Sequence, residues 1–136
     1  MNFLRTVKTE VEAWPDVSTH SHRFGGTEFR LGRAEIGHLH VNGVLDIPFT
    51  RAIRNVLLKE QLVEEHKYVP DSGWITFRIQ NESDVKHALR LLRLSYVRYR
   101  LRTAPDPAAM WKEESPALRL PAALDTAVRP VRAKTV

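Results

Sequence analysis

Phe3, Leu4, Val7 and Val11 recur at helical spacing, so the pattern predicts a short amphipathic helix from Asn2 to Ala13. Trp14-Pro15 ends it, because the residue before a proline avoids the α region. His20 to Gly26 reads as a loop punctuated by Gly25-Gly26. From Thr27 the period falls to two. Phe29 and Leu31 alternate with Glu28 and Arg30, Leu39 and Val41 with His38 and His40, and Leu45, Ile47 and Phe49 with Val44, Asp46 and Pro48. This is the pattern of a β-meander with one apolar face. At the Asn42-Gly43 turn, a three-residue loop from Asn42 to Val44 would set Val41 opposite Leu45 and His40 opposite Asp46, keeping the two faces separate.

Thr50 is placed to cap a helix running to about Gln61, with Ile53, Val56 and Leu57 inward. A loop from Val69 to Gly73 leads into a strand, Trp74 to Ile79, whose Ile75, Phe77 and Ile79 point one way. Ser83 is the expected cap of a long helix from Asp84 to about Arg102. Its buried stripe would be Val85, Ala88, Leu89, Leu92, Tyr96 and Tyr99, and its outer stripe Lys86, Arg90 and Arg93. The expected fold class is α+β, a mostly antiparallel β-sheet with helices packed on one face. That domain spans residues 1–102. Five of the eight prolines fall after Arg102, and residues 103–136 read as a Pro/Ala-rich basic tail, extended or disordered, with at most a helical turn near Met110-Trp111.

The 136 residues allow one domain with a modest core. Cysteine is absent, which removes disulfides, thiolate metal sites and cysteine nucleophiles together and fits a cytoplasmic protein. No apolar run is long enough to span a bilayer, and the first ten residues lack the apolar stretch of a signal peptide. The net charge of +5 is concentrated in the long helix and the tail, which favours a solvated face over a nucleic-acid surface.

With odd-numbered strand residues in the core, the opposite face collects Glu28, Arg30, His38, His40, Asp46, Trp74, Thr76 and Arg78. Two histidines two apart on a strand project side by side, as in many metal sites. The plain alternative is a pair of surface histidines hydrogen-bonded to Asp46. Glu35 has the wrong parity for this face unless a bulge near Gly37 re-aims it; otherwise it is structural, with Arg33 as a partner. His66 follows the first sheet helix, and on its own reads as a surface residue. So do His20 and His22 in their loop and His87 on the long helix. No phosphate-binding glycine loop, Gly-x-Ser-x-Gly elbow or His-Glu-x-x-His motif is present.

The run Arg33-Ala34-Glu35-Ile36-Gly37-His38-Leu39-His40 resembles the Arg-Glu-Ile-Ala/Gly-His-x-His core of the fungal luciferase family. Further matches are His22 to Gly26, Asp46 to Phe49, His66, Pro70 to Trp74 and Leu91 to Tyr96, so the resemblance covers about Trp14 to Arg100. It is closer to the family's short bacterial homologues than to the longer, membrane-anchored fungal enzymes. The resemblance implies a cofactor-independent oxygenase, with no metal, acting with dioxygen on a small aromatic or enolic substrate of the hydroxy-pyrone type. Dioxygen adds, an endoperoxide forms and carbon dioxide leaves. In that reading His38, His40, His66 and Glu35 are catalytic, with a histidine as the base that ionises the enol. Asp46, Trp74, Arg78 and His22 bind substrate, Trp74 by stacking on a flat ring and Arg78 or a second histidine by holding the anion. The alternatives are a metal site at His38, His40 and His66 with Glu35 or Asp46, a non-catalytic small-ligand-binding module, and nucleic-acid binding through Lys86, Arg90, Arg93 and the tail. The sequence leaves a homo-oligomer open.

Overall fold

The computed structural model describes residues 2–21, 25–69 and 71–128. Its first helix, α1 (Phe3–Glu12), starts where the Asn2 side chain accepts the Leu4 and Arg5 N–H groups. Four strands follow: β1 (Val17–Ser21), β2 (Thr27–Leu31), β3 (Ala34–Leu39) and β4 (Val44–Pro48). Then come α2 (Arg51–Lys59), capped by Thr50, the two-residue β5 (Glu64–Glu65), β6 (Trp74–Arg78), α3 (Glu82–Arg100), α4 (Pro107–Leu118) and α5 (Leu124–Val128). The six strands form one antiparallel sheet in the order β1-β2-β3-β4-β6-β5. This is the expected α+β class.

Phe29, Ile36, Leu39, Leu45, Ile47 and Ile75 fill one sheet face and are buried. Against them pack Val7 and Val11 of α1, Ile53 and Leu57 of α2, and Val85, Ala88, Leu91 and Leu92 of α3. Gly37 faces α3 so closely that a Cβ there would lie 2.8 Å from Leu92 Cδ2, so a larger residue would require the Leu92 side chain to shift. Phe77, expected in the core, is half-buried, its ring 4.7 Å from His87.

Several expectations are corrected. Residues 20 and 21 belong to β1, paired with Glu28 and Thr27, where a loop was expected. An edge strand is paired on one side only, and β1 offers a single large apolar residue, Val17, so its periodic signal is weak. The β3–β4 loop has three residues, but they are Val41, Asn42 and Gly43: His40 N–H donates to Val44 O, Leu39 faces Leu45 and His38 faces Asp46. The register therefore differs by two residues from the one expected. The left-handed position of such a loop falls on Gly43 at φ 92°, which a β-branched Val44 would not tolerate. A two-residue shift preserves the faces, but Val41 becomes a loop tip, 75% exposed, rather than a core residue.

Asn81, not Ser83, caps α3 by accepting the Asp84 N–H. Leu91, Leu94 and Val97 are buried on α3, whereas Leu89 and Tyr99 are only partly so, because α1 and α4 cover the helix beyond the sheet side. Arg93 accordingly leaves the solvated stripe. Its guanidinium binds Glu114 of α4 through Nε and Nη2, at 3.0 and 2.9 Å. Where an extended tail was expected, α4 and α5 bury Leu118, Leu124 and Val128. Asp106 caps α4 with Pro107 in its first turn. The rest of that tail, residues 129–136, lies outside the described residues.

Candidate functional site

The sheet face turned away from the helices carries the histidines, and a bulge decides which side chains reach it. Glu28 pairs with His38 and Phe29 with Gly37, but Arg30 then pairs with Glu35, leaving Ile36 without a partner in the ladder. The extra residue reverses the alternation of β3 at that point. Ile36 and Gly37 both face the core, and Glu35 shares the other face with His38. The Glu35 carboxylate accepts a hydrogen bond from His38 Nδ1 at 2.7 Å; Arg33 is not the partner.

Asp46, directly opposite His38 on β4, is the centre of the cluster. Its Oδ1 accepts the Thr76 hydroxyl at 2.6 Å. Its Oδ2 lies 2.8 Å from His40 Nε2, 3.3 Å from His38 Nε2 and 3.7 Å from His66 Nε2. His66 arrives from the residue after β5, which pairs along β6 and so brings the chain back over this face. The Tyr68 N–H donates to His66 Nδ1 at 3.2 Å, so in the neutral ring the proton sits on Nε2, facing Asp46. The Asp46 side chain is 8% exposed and that of His38 11%, whereas His40 at 26% is the more open imidazole.

Trp74 closes one side of the cluster, its ring 5.5 Å from His38 and 5.7 Å from His66. His40 stands edge-on to His38 at 4.8 Å. Glu35, His38, His40, Asp46, His66 and Trp74 are thus brought together. Arg78 shares the face but turns to Glu64 at the exposed sheet edge, with Nε–Oε2 at 3.1 Å. His22 lies outside the described residues. His87 binds the Leu62 carbonyl and takes no part. Two contributors carry little signal in the sequence. Thr76 has the right parity but an ordinary side chain, and Tyr68 acts through its backbone.

Burial disfavours the charged form of both central groups, and their mutual contacts override it. For His38, desolvation would lower the pKa, but hydrogen bonds to Asp46 and then Glu35 push it up to about 9. For Asp46, desolvation would raise the pKa, but hydrogen bonds from His38, Thr76 and His40 hold it well below the usual carboxylate range. The site therefore presents a fixed imidazolium between two carboxylates, with a second carboxylate-bound imidazole at its rim. Such a set can take up a proton from a bound acid and stabilise the anion left behind.

The fold and cluster define a small α+β domain carrying a histidine–carboxylate centre on an antiparallel sheet. The family model described as a luciferase domain matches residues 33–95, from just before β3 through Ser95 of α3. The match takes in Glu35, His38, His40, Asp46, His66 and Trp74. No curated protein matches the chain. No solved structure matches it either. Among the described residues, no helix is long and apolar enough to cross a membrane.

Proposed function

We propose that this domain is a cytoplasmic oxygenase acting on a small, flat, enolic or phenolic substrate of the hydroxy-pyrone type, with dioxygen as the second substrate. The observation that carries the reading is the convergence of three imidazoles on the single carboxylate of Asp46, beside the face of Trp74. An enol reacts with dioxygen only after losing its proton, and His40, paired with Asp46 and more open than His38, is placed to take it. His38, held between Glu35 and Asp46, lies next to the resulting enolate. Trp74 offers an indole against which a planar ring can stack. Dioxygen is then both oxidant and source of the added oxygen atoms. The peroxide closes on the lactone carbonyl and carbon dioxide leaves. Light emission is not part of the proposal.

The test is oxygen uptake with a panel of 3-hydroxy-α-pyrones, with product and carbon dioxide followed by mass spectrometry. The expected result is turnover that falls by at least about a hundredfold in His40→Ala, the scale of a lost general base. His40 lies with Asp46 and His38 on the sheet face turned away from the helices, so circular dichroism of that variant should match the parent. Uptake that is absent across the panel, or equal in parent and variant, refutes the reading.

A further inference from the structure

The same face carries a second, separable property. One ligand atom from each of His38, His40 and Asp46 lies within 4.8 Å of the others. Asp46 Oδ2 is 2.8 Å from His40 Nε2 and 3.3 Å from His38 Nε2. Neighbouring ligand atoms on a first-row divalent ion, with bonds of about 2.0 to 2.2 Å, sit roughly 3 Å apart, so two of the three separations are already those of a coordinated ion. Glu35 supplies what a metal-bound histidine ordinarily needs, a carboxylate on its distal nitrogen that fixes the ring with Nε2 inward. Thr76 does the same for Asp46, holding Oδ1 so that Oδ2 points into the cluster.

His66 is the obvious fourth candidate, and its hydrogen bonding argues against it. Its Nδ1 accepts the Tyr68 N–H, which leaves the ring proton on Nε2, the nitrogen that faces the cluster. With a backbone donor fixed on its Nδ1, that ring cannot free Nε2 for an ion, whereas His38 can give up its Nε2 proton on binding because its Nδ1–H stays on Glu35. We propose that His38, His40 and Asp46 form a two-histidine, one-carboxylate site for a divalent first-row transition metal, with Glu35 orienting His38. Trp74 and His66 flank the cluster. Two imidazoles with a single carboxylate favour manganese, iron, cobalt, nickel or zinc over calcium or magnesium, whose sites are built from oxygen. The proposal stands independently of the oxygenase reading, since the resemblance implies turnover without a required cofactor.

The experiment uses the full chain stripped with a chelator, and cobalt(II) alone as the probe. Expected are one ion bound per chain, a ligand-field spectrum with nitrogen donors, and affinity lowered at least about tenfold in His40→Ala. Glu35→Gln should weaken binding by roughly ten- to a hundredfold, the effect typical of a residue behind a metal ligand. Should His40→Ala fail to fold, the parent chain still decides: proton NMR of the cobalt form should show paramagnetically shifted imidazole N–H signals from two histidines. Failure to bind cobalt, binding unaffected by both substitutions, or signals from three imidazoles would overturn the proposal. Turnover by a chain that binds no cobalt overturns this site alone, and tight binding without turnover overturns only the oxygenase reading.

Discussion

Replacing Glu35 by glutamine tests whether the bulge in β3 has a chemical consequence. The substitution keeps an oxygen that can accept the His38 Nδ1–H but removes the charge 2.7 Å away. His38 is held up at about 9 by two carboxylates working against its own burial. Losing the charge of one should lower its pKa by about one to two units, the usual effect of an adjacent opposite charge. At 1.36 kcal/mol per unit, that corresponds to about 1.5 to 3 kcal/mol of lost preference for the protonated ring. The His38 side chain is 11% exposed, so solvent screening removes little of this. The sign follows from linkage. A raised histidine pKa stabilises the fold fully below the unfolded value near 6.5 and stops doing so as the pH rises through the folded value. Glu35→Gln should therefore cost about 1.5 to 3 kcal/mol near pH 6 and almost nothing near pH 10. Imidazole nitrogen shifts, followed by NMR in chelator-treated protein, read the pKa directly, and urea unfolding at the two pH values reads the energy. A His38 titration within a few tenths of a unit of the parent, or a stability loss independent of pH, would refute the reasoning.

Two further outcomes follow from the same coordinates. In the parent chain without metal, Asp46 stabilises the fold above the ordinary carboxylate pKa of about 4, and His38 below about 6.5. Thermal stability should therefore be greatest between those values and decline toward pH 9; a melting temperature that rises over pH 6.5 to 9 would contradict the pairing. Leu124→Ala removes a buried side chain of α5 and should cost about 2 to 5 kcal/mol, visible as a clear fall in melting temperature, whereas a change under about 0.5 kcal/mol would show that α5 does not dock.

The legible parts of the fold are those where burial acts on one face at a regular period. Phe29, Leu39, Leu45, Ile47 and Ile75 announce the sheet, and their even-numbered neighbours His38, His40, Asp46 and Trp74 fall together by parity alone. The turn register was harder to read, because a two-residue slip leaves both faces intact, and only the left-handed backbone at Gly43 decides it. The C-terminal helices were harder still. Their buried residues, Leu118, Leu124 and Val128, are few and widely spaced, and Pro116 lies inside α4, so no amphipathic stripe stands out. Glu35 and His66 reach the site by routes that periodicity does not describe, a bulge for one and a chain reversal for the other. Their placement was suggested by the resemblance more than by the pattern.

The unpaired Ile36 has a bearing on how such a centre is transplanted or altered. Substitutions at this position that keep an apolar side chain leave the layout of β3 as it is. Drawing Ile36 into the ladder opposite Arg30, at an unchanged residue count, would not: the strand would revert to plain alternation and carry the Glu35 carboxylate round to the helix side, away from His38. In engineering terms, the bulge in β3 is as much a part of the site as the histidines. Grafting the histidines and Asp46 onto a regular antiparallel sheet would reproduce the donors without the group that aims them.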